Sequence, residues 1–193
     1  MLIYIHERSD FMLKTSDILD EKDKRIRAKN EDVVFPLDKK EKKLIHDMLE
    51  HLYFSQIEEK AKKYNLRPGM GLAGPQVGIN KKFFVVCHEE SENNFKNYIL
   101  INPKLISHSE ELVYASGGEG CLSVNRDVEG IVPRFARVTF EGYDMDGNKI
   151  KYRAREELAI AFQHEMDHLN GILFYDHIDP KDPYKNAELM REI

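Results

Sequence analysis

The stretch Arg155-Glu-Glu-Leu-Ala-Ile-Ala-Phe-Gln-His-Glu-Met-Asp-His-Leu-Asn170, followed by Gly171, decides how this 193-residue chain is organised. Leu158, Phe162, Met166 and Leu169 recur at helical spacing, and a glycine stands just past the last of them. The pattern therefore predicts a helix over 155–170. His164 and His168 lie four residues apart, one above the other, so both imidazoles can reach one metal ion. Glu165 sits beside that face, close enough to take a proton from a water held there without being a ligand itself. The apolar stripe is separate from this polar face, so the helix can pack and still present its histidines. The bland alternative is a pair of ordinary helix histidines beside a solvated carboxylate, and the full His-Glu-x-x-His pattern weighs against it.

Upstream of this helix the periodicity changes. Strands are predicted over 83–87, 98–101, 111–115, 136–144 and 149–153, with Asp146-Gly147 as a hairpin turn between the last two. A short strand is expected at 172–175, just after the helix. Further upstream, Leu44, Ile45, Met48, Leu49 and Leu52 predict a long amphipathic helix over 37–64, capped by Asp38. The segment 67–78 holds four glycines and two prolines and reads as a loop. Residues 21–32 are so dense in charge that a solvated loop or weak helix is expected. Strands cluster between two helices without βαβ alternation. The class is α+β, with mainly antiparallel sheets packed around a central metal-binding helix, a long N-terminal amphipathic helix, and one domain over 1–193.

Composition narrows the function classes. A formal net charge of -5 argues against a broad basic surface for nucleic acid, while leaving room for a local basic patch. The start Met-Leu-Ile-Tyr-Ile runs into His6, Glu7, Arg8 and Asp10, so no stretch there reaches signal-peptide or membrane-spanning length, and a cytoplasmic protein is expected. Two cysteines, Cys87 and Cys121, give no disulfide framework. Cys87 falls in a strand pattern and reads as a small buried hydrophobe.

A catalytic metal site needs a third protein ligand and an open position. The extended protease pattern His-Glu-x-x-His-x-x-Gly-x-x-His matches through Gly171 but meets Phe174 where its last histidine should be. His177, Asp176, Asp179 and Glu188 lie downstream, in too short a tail for a roomy helical subdomain. Upstream, Cys121 offers a thiolate in a glycine-rich segment that lets backbone approach a site closely. Both directions remain open on spacing alone.

Three segments, in this order, together resemble the peptide deformylase family: Gly69-Met-Gly-Leu-Ala-Gly-Pro-Gln76, Glu119-Gly-Cys-Leu-Ser123 and Gln163-His-Glu-Met-Asp-His168. The resemblance spans about Arg67 to Tyr175. The Glu-Gly-Cys-Leu-Ser-Val form, the acidic N-terminal insertion and the short tail after Asp179 resemble the longer-chain deformylases of Gram-positive bacteria. One departure is visible: the family usually has two alanines before Pro-Gln, and here Ala73-Gly74 stands there. The missing methyl group is expected to loosen that loop slightly.

The resemblance implies that Cys121, His164 and His168 hold one divalent metal ion with a water in the fourth position. Ferrous iron is the implied native metal, and the same donor set accepts zinc, nickel or cobalt. Glu165 becomes the general base and later the acid, and the Gln76 side chain and Leu122 N–H become the oxyanion donors. By the same resemblance Gly69, Met70, Gly71, Gly120 and Ile160 bind the substrate, and Glu119 pairs with Arg134 to fix the cysteine loop. The implied partners are formyl-methionyl peptides of nascent chains, with a transient ribosome contact, no membrane and a monomeric state. Two other readings stand beside it: a zinc peptidase on the same helix motif, and a non-catalytic deformylase-like binding protein.

Overall fold

The computed structural model describes residues 13–193, so the opening Met-Leu-Ile-Tyr-Ile stretch lies outside the described residues. Its centre is explained by five consecutive apolar residues, Phe83-Phe-Val-Val-Cys87, in strand β2 (Phe83–Ser91). Alternate side chains of a strand point to opposite faces, so a run that is apolar throughout must be covered on both sides. Here Phe83, Val85 and Cys87 pack with Ile45, Met48, Leu49 and Leu52 of helix α1 (Lys39–Ser55). Phe84 and Val86 pack on the other side with Leu158, Ala159, Phe162 and Leu169 of helix α3 (Glu156–Leu169). The Phe162 ring, fully buried, meets Phe84, Tyr98, Phe140 and Tyr152 at centroid distances of 5.6, 5.5, 5.8 and 6.3 Å. Burying such a ring contributes about 1.5–3 kcal/mol, which makes it an anchor of helix on sheet.

The five-stranded sheet runs in the order β1 (Gly71–Ala73), β2, β3 (Asn94–His108), β6 (Arg137–Tyr143), β7 (Lys149–Arg155). All its pairings are antiparallel. A second sheet has the order β5 (Arg134–Phe135), β4 (Leu112–Tyr114), β8 (Arg191–Glu192), with β4 and β8 parallel. The class is α+β with mainly antiparallel sheet, as the strand clustering predicts. Strand β1 is an edge, placed directly over α3.

Several elements differ from the sequence expectation. The helix expected over 37–64 is two, α1 and α2 (Glu58–Tyr64). Gln56 ends the first by turning its amide onto Leu52 O and Cys87 O at 3.2 and 2.9 Å, and α2 buries none of its residues. The strand expected at 172–175 is instead a 3-10 turn, Phe174–His177. Asp176 closes it locally by accepting from Leu173 N at 2.9 Å, and Phe174 is drawn into the core under His164. The loop expected over 67–78 contains β1 and a 3-10 turn, Gly74–Val77.

The charged segment 21–32 holds a short 3-10 helix, Lys24–Arg27, and is mostly exposed, as expected, but it is also tied to the rest of the chain. Its Ile26 is 1% exposed and its Asn30 4%. Its charges find partners across the chain, Glu21 with Arg126 at 2.8 Å and Arg27 with Asp176 at 2.6 Å. Its backbone joins the interior, with Glu21 N donating to Ser123 O at 2.8 Å, and just before it Leu19 N donates to Gln76 O at 2.8 Å. The segment is a strap laid over the loops that build the candidate site.

Candidate active site

Helix α3 carries His164 and His168 on the side away from its strand-packing residues, with ring centroids 5.0 Å apart. The loop holding Cys121 approaches from the opposite side, bringing Cys121 Sγ to 3.3 Å from His168 Nε2. One donor atom from each of Cys121, His164 and His168 lies within 4.8 Å of the others, and all three residues are buried. A tetrahedral zinc-type site with metal–sulfur and metal–nitrogen bonds of about 2.3 and 2.1 Å needs donors roughly 3.3–3.6 Å apart, so this cluster fits one ion with modest adjustment.

The rest of the shell supports that fit. His164 turns Nδ1 to Glu119 Oε2 at 2.9 Å, which leaves Nε2 for the cluster. Glu119 in turn receives two hydrogen bonds from Arg134, at 2.7 and 3.0 Å, and Arg134 also reaches Asp167 at 2.6 Å. His177 closes the chain of charges by meeting the same Asp167 oxygen at 2.7 Å. Burial alone would raise the Glu119 carboxyl, but the hydrogen bonds from His164 and Arg134 hold it down at about 2. Burial pushes the His168 ring well below the ordinary imidazole value, the neutral form a ligand needs. Burial opposes charge on His164 too, yet its contacts with Cys121 and Glu119 lift it above the ordinary value.

Glu165 is 2% exposed, and its Oε2 is buried without a hydrogen-bond partner among the described residues. Burial raises its pKa to about 8. The backbone of β1 runs directly against it: a Cβ built on Gly71 would sit 2.3 Å from Glu165 Oε1. Gln76 is fixed at both ends of its amide, accepting from Ala73 N at 2.8 Å and donating from Nε2 to Ser123 Oγ at 3.2 Å and toward Cys121 Sγ at 3.7 Å. The Leu122 N–H, in the same loop, has no hydrogen-bond partner among the described residues.

These groups open onto one cavity of about 430 Å³, lined by Gly69, Met70, Gly71, Gln76, Glu119, Gly120, Cys121, Leu122, Ile160, His164 and Glu165 among others. Every residue expected at the site is therefore in it or, for His168 and Arg134, directly behind it. Of the downstream groups weighed as third ligands, His177 is engaged with Asp167, Asp176 with Arg27 and Asp179 with Lys185, and Glu188 is exposed and outside the Cys121–His164–His168 cluster. Cys87 is fully buried, and burial pushes its thiol up to about 12, as suits an inert core residue.

The sequence model of the polypeptide deformylases matches residues 15–184. The chain belongs to that family. A peptide deformylase of Macrococcus caseolyticus strain JCSC5402 is 48% identical over 175 residues, 90% of this chain and 95% of the relative. One from Listeria monocytogenes serotype 4a strain HCC23 is 47% identical over 172 residues, 89% and 94% of the two chains. Both organisms are Gram-positive, the group whose longer-chain deformylases the Glu-Gly-Cys-Leu-Ser-Val form, the N-terminal insertion and the short tail resemble. The crystal structure of a plant peptide deformylase superimposes with a TM-score of 0.71 at 30% identity, covering 89% of this chain and 85% of that one. The Thermotoga maritima peptide deformylase gives 0.68 at 30% identity, covering 88% and 99%.

Against the deformylase pattern, the Ala73-Gly74 departure does not loosen the loop. A Cβ at Gly74 would lie 2.8 Å from Lys81 O, 2.8 Å from Phe83 Cε1 and 2.9 Å from Ile79 O, so in this chain the loop closes over the glycine. Sequence reasoning missed Arg67, whose guanidinium donates to the carbonyls of Cys121 and Val124 and to Asn125 Oδ1, clamping the cysteine loop. It missed Asn30, which donates to Leu169 O at 2.9 Å and His168 O at 3.4 Å at the end of α3. It also left Asp167 unassigned. An acidic residue inside the His-Glu-x-x-His motif was a usable signal; for Arg67 and Asn30 nothing local distinguished them.

Proposed function

We propose that this chain hydrolyses the N-terminal formyl group of formyl-methionyl nascent polypeptides, releasing formate and a free amino terminus. The observation that carries this reading is the meeting of Cys121, His164 and His168 beside a buried, unpartnered Glu165. In it α3 is the central metal-binding helix, α1 the long N-terminal amphipathic helix that braces β2 from behind, and the whole of 1–193 one catalytic domain.

Cys121, His164 and His168 would hold one divalent ion, which would supply Lewis-acid charge to a water and to a carbonyl. Ferrous iron is the proposed native ion, with zinc, nickel or cobalt accepted by the same donors. Glu165 takes the proton from the attacking water and delivers it to the leaving amine. Its raised pKa suits both jobs, because a group poised near the working pH can accept and give back. Gln76 Nε2 and the Leu122 N–H donate to the formyl oxygen as it gains negative charge, and the fixed orientation of both donors spares reorganisation during the reaction. Glu119, held by Arg134, orients the His164 ring.

The substrate backbone lies along the outer edge of β1 at Gly69, Met70 and Gly71 and against Gly120, adding a strand where the sheet ends. The methionine side chain enters between Met70 and Ile160. Pairing through main-chain groups gives affinity without sequence preference, as a substrate class sharing only its first residue requires. No helix among the described residues is long and apolar enough to cross a membrane. In this reading the protein works in the cytoplasm as a monomer that meets nascent chains with a transient ribosome contact.

The test is formate release from formyl-Met-Ala-Ser by protein purified without oxygen, combined with metal analysis. One equivalent of metal and formate release above a metal-stripped control are expected. Cleavage of internal peptide bonds by a Cys121→Ala variant that keeps its metal would establish the peptidase instead.

A further inference from the structure

On the face of the sheet turned away from α3, strand β7 places Lys149, Lys151, Arg153 and Arg155 at successive outward positions, all exposed. Neighbouring strands add Arg137, paired across the ladder with Arg155, and Lys104, paired with Glu141. Like charges directly opposite each other in a sheet are unfavourable, so the facing of Arg137 and Arg155 does nothing for the ladder. Neutralisation is uneven. Glu141 is shared by Lys149 and Lys151 at 3.1 Å each, and Glu111 pairs Arg137 at 2.7 Å. Arg153 and Arg155 have no ion pair or hydrogen bond from their guanidinium groups among the described residues. Together with Arg137, Ser107, His108 and Thr139 they line a groove of about 520 Å³. All this stands in a chain whose formal net charge is -5.

We propose that this stripe binds the phosphate backbone of double-helical RNA. Outward side chains on one strand recur about every 6.7 Å, a regular spacing that suits an evenly repeating polyanion better than an irregular acidic peptide. Arginine, with its planar fork of donors, is the residue suited to phosphate oxygens, and Ser107 and Thr139 add hydroxyl donors. The outward residues of β7 include no aromatic on which a base could stack, which favours the backbone of a duplex over single strands. Arg155 ends β7 and leads into α3, while the stripe lies at the sheet edge opposite β1, so RNA held there does not cover the edge along which substrate adds. The choice of RNA rests on the deformylase reading: a formylated nascent chain is presented by an RNA-rich particle, and a weak anchor on the enzyme raises its effective concentration there.

The test measures the full-length protein against a fluorescently labelled RNA hairpin with a stem of about 16 base pairs, by anisotropy, between about 50 and 200 mM salt. The wild type is expected to bind at low salt with a dissociation constant on the order of micromolar, weakening steeply as salt rises. The double variant R153Q/R155Q is expected to bind at least about tenfold more weakly and to lower the slope of log affinity against log salt by about 2. K39Q/K40Q, which removes the same charge from α1, should bind like the wild type. The proposal is overturned by no binding at low salt, by equal losses in the two double variants, or by tighter binding to polyglutamate or to phosphatidylserine vesicles than to the hairpin. R153Q/R155Q should release formate from formyl-Met-Ala-Ser at the wild-type rate. A wild type that released none would defeat the deformylase reading while leaving the RNA result to stand or fall separately.

Discussion

Restoring the alanine that deformylases usually carry at position 74 should harm this protein. A methyl group there would meet two backbone carbonyl oxygens, Lys81 O at 2.8 Å and Ile79 O at 2.9 Å, and the Phe83 ring at 2.8 Å. Backbone oxygens cannot swing aside as a side-chain tip can, and Phe83 is wedged in the cluster with Leu52 and Val85. Forcing a methyl group into so tight a space costs about 1–3 kcal/mol. Stiffening of the unfolded chain offsets about 0.4–1 kcal/mol of that. Gly74→Ala should therefore lose roughly 0.5–2 kcal/mol, or about 1–8 °C of Tm for a chain this size. Urea unfolding of the metal-loaded protein, followed by far-UV circular dichroism, measures the first quantity. Formate release at 25 °C measures a second consequence, because the displaced turn carries Gln76, whose amide is held by Ala73 N. A midpoint equal to or above wild type would refute the reasoning, since it would mean that these three atoms yield freely.

Gln76→Leu removes one oxyanion donor and should lower kcat/KM by roughly a hundredfold or more, about 3 kcal/mol of barrier, with metal content unchanged. Glu165→Ala should reduce formate release further still while retaining the metal; loss of the metal in that variant would make Glu165 a ligand rather than a base. Arg134→Leu leaves the carboxylates of Glu119 and Asp167 facing each other without their shared cation, and should cost about 3–5 kcal/mol in denaturant unfolding. His51 is fully buried, and burial holds its pKa below the ordinary 6.5, so the folded protein keeps it neutral while the unfolded chain takes up a proton as pH falls. Its contribution to stability is complete above about pH 6.5 and declines as pH drops below that value. His51→Gln should flatten that part of the stability curve, and an unchanged curve would assign the slope to another group.

The elements that were legible in the sequence are those whose pattern is local and long. Helix α3 shows its stripe, its terminal glycine and its two histidines within sixteen residues, and β2 shows five apolar residues in a row. What escaped depends on partners remote in sequence. Strand β1 is only three residues long and exists because β2 offers it a free edge. The 3-10 turn at Phe174–His177 won over a strand because Asp176 satisfied the backbone locally, and no strand was placed to compete. Charge density shows the exposure and the short helix of the strap but not its tethering, because Arg27 and Glu21 have partners 149 and 105 residues away. At the site, residue types were readable from three motifs, but Arg67 grips backbone carbonyls, and carbonyls carry no signature in a sequence.

That strap carries a further consequence. It has little apolar burial of its own beyond Ile26, so it belongs among the segments that detach at the least free energy, well before the sheet opens. Yet its backbone and side chains hold Ser123 and the last carbonyls of α3, and Leu19 just before it holds Gln76. Turnover is thereby tied to a peripheral ribbon: amide exchange there should run ahead of the core, and a nick in it should slow the chemistry while leaving the protein folded.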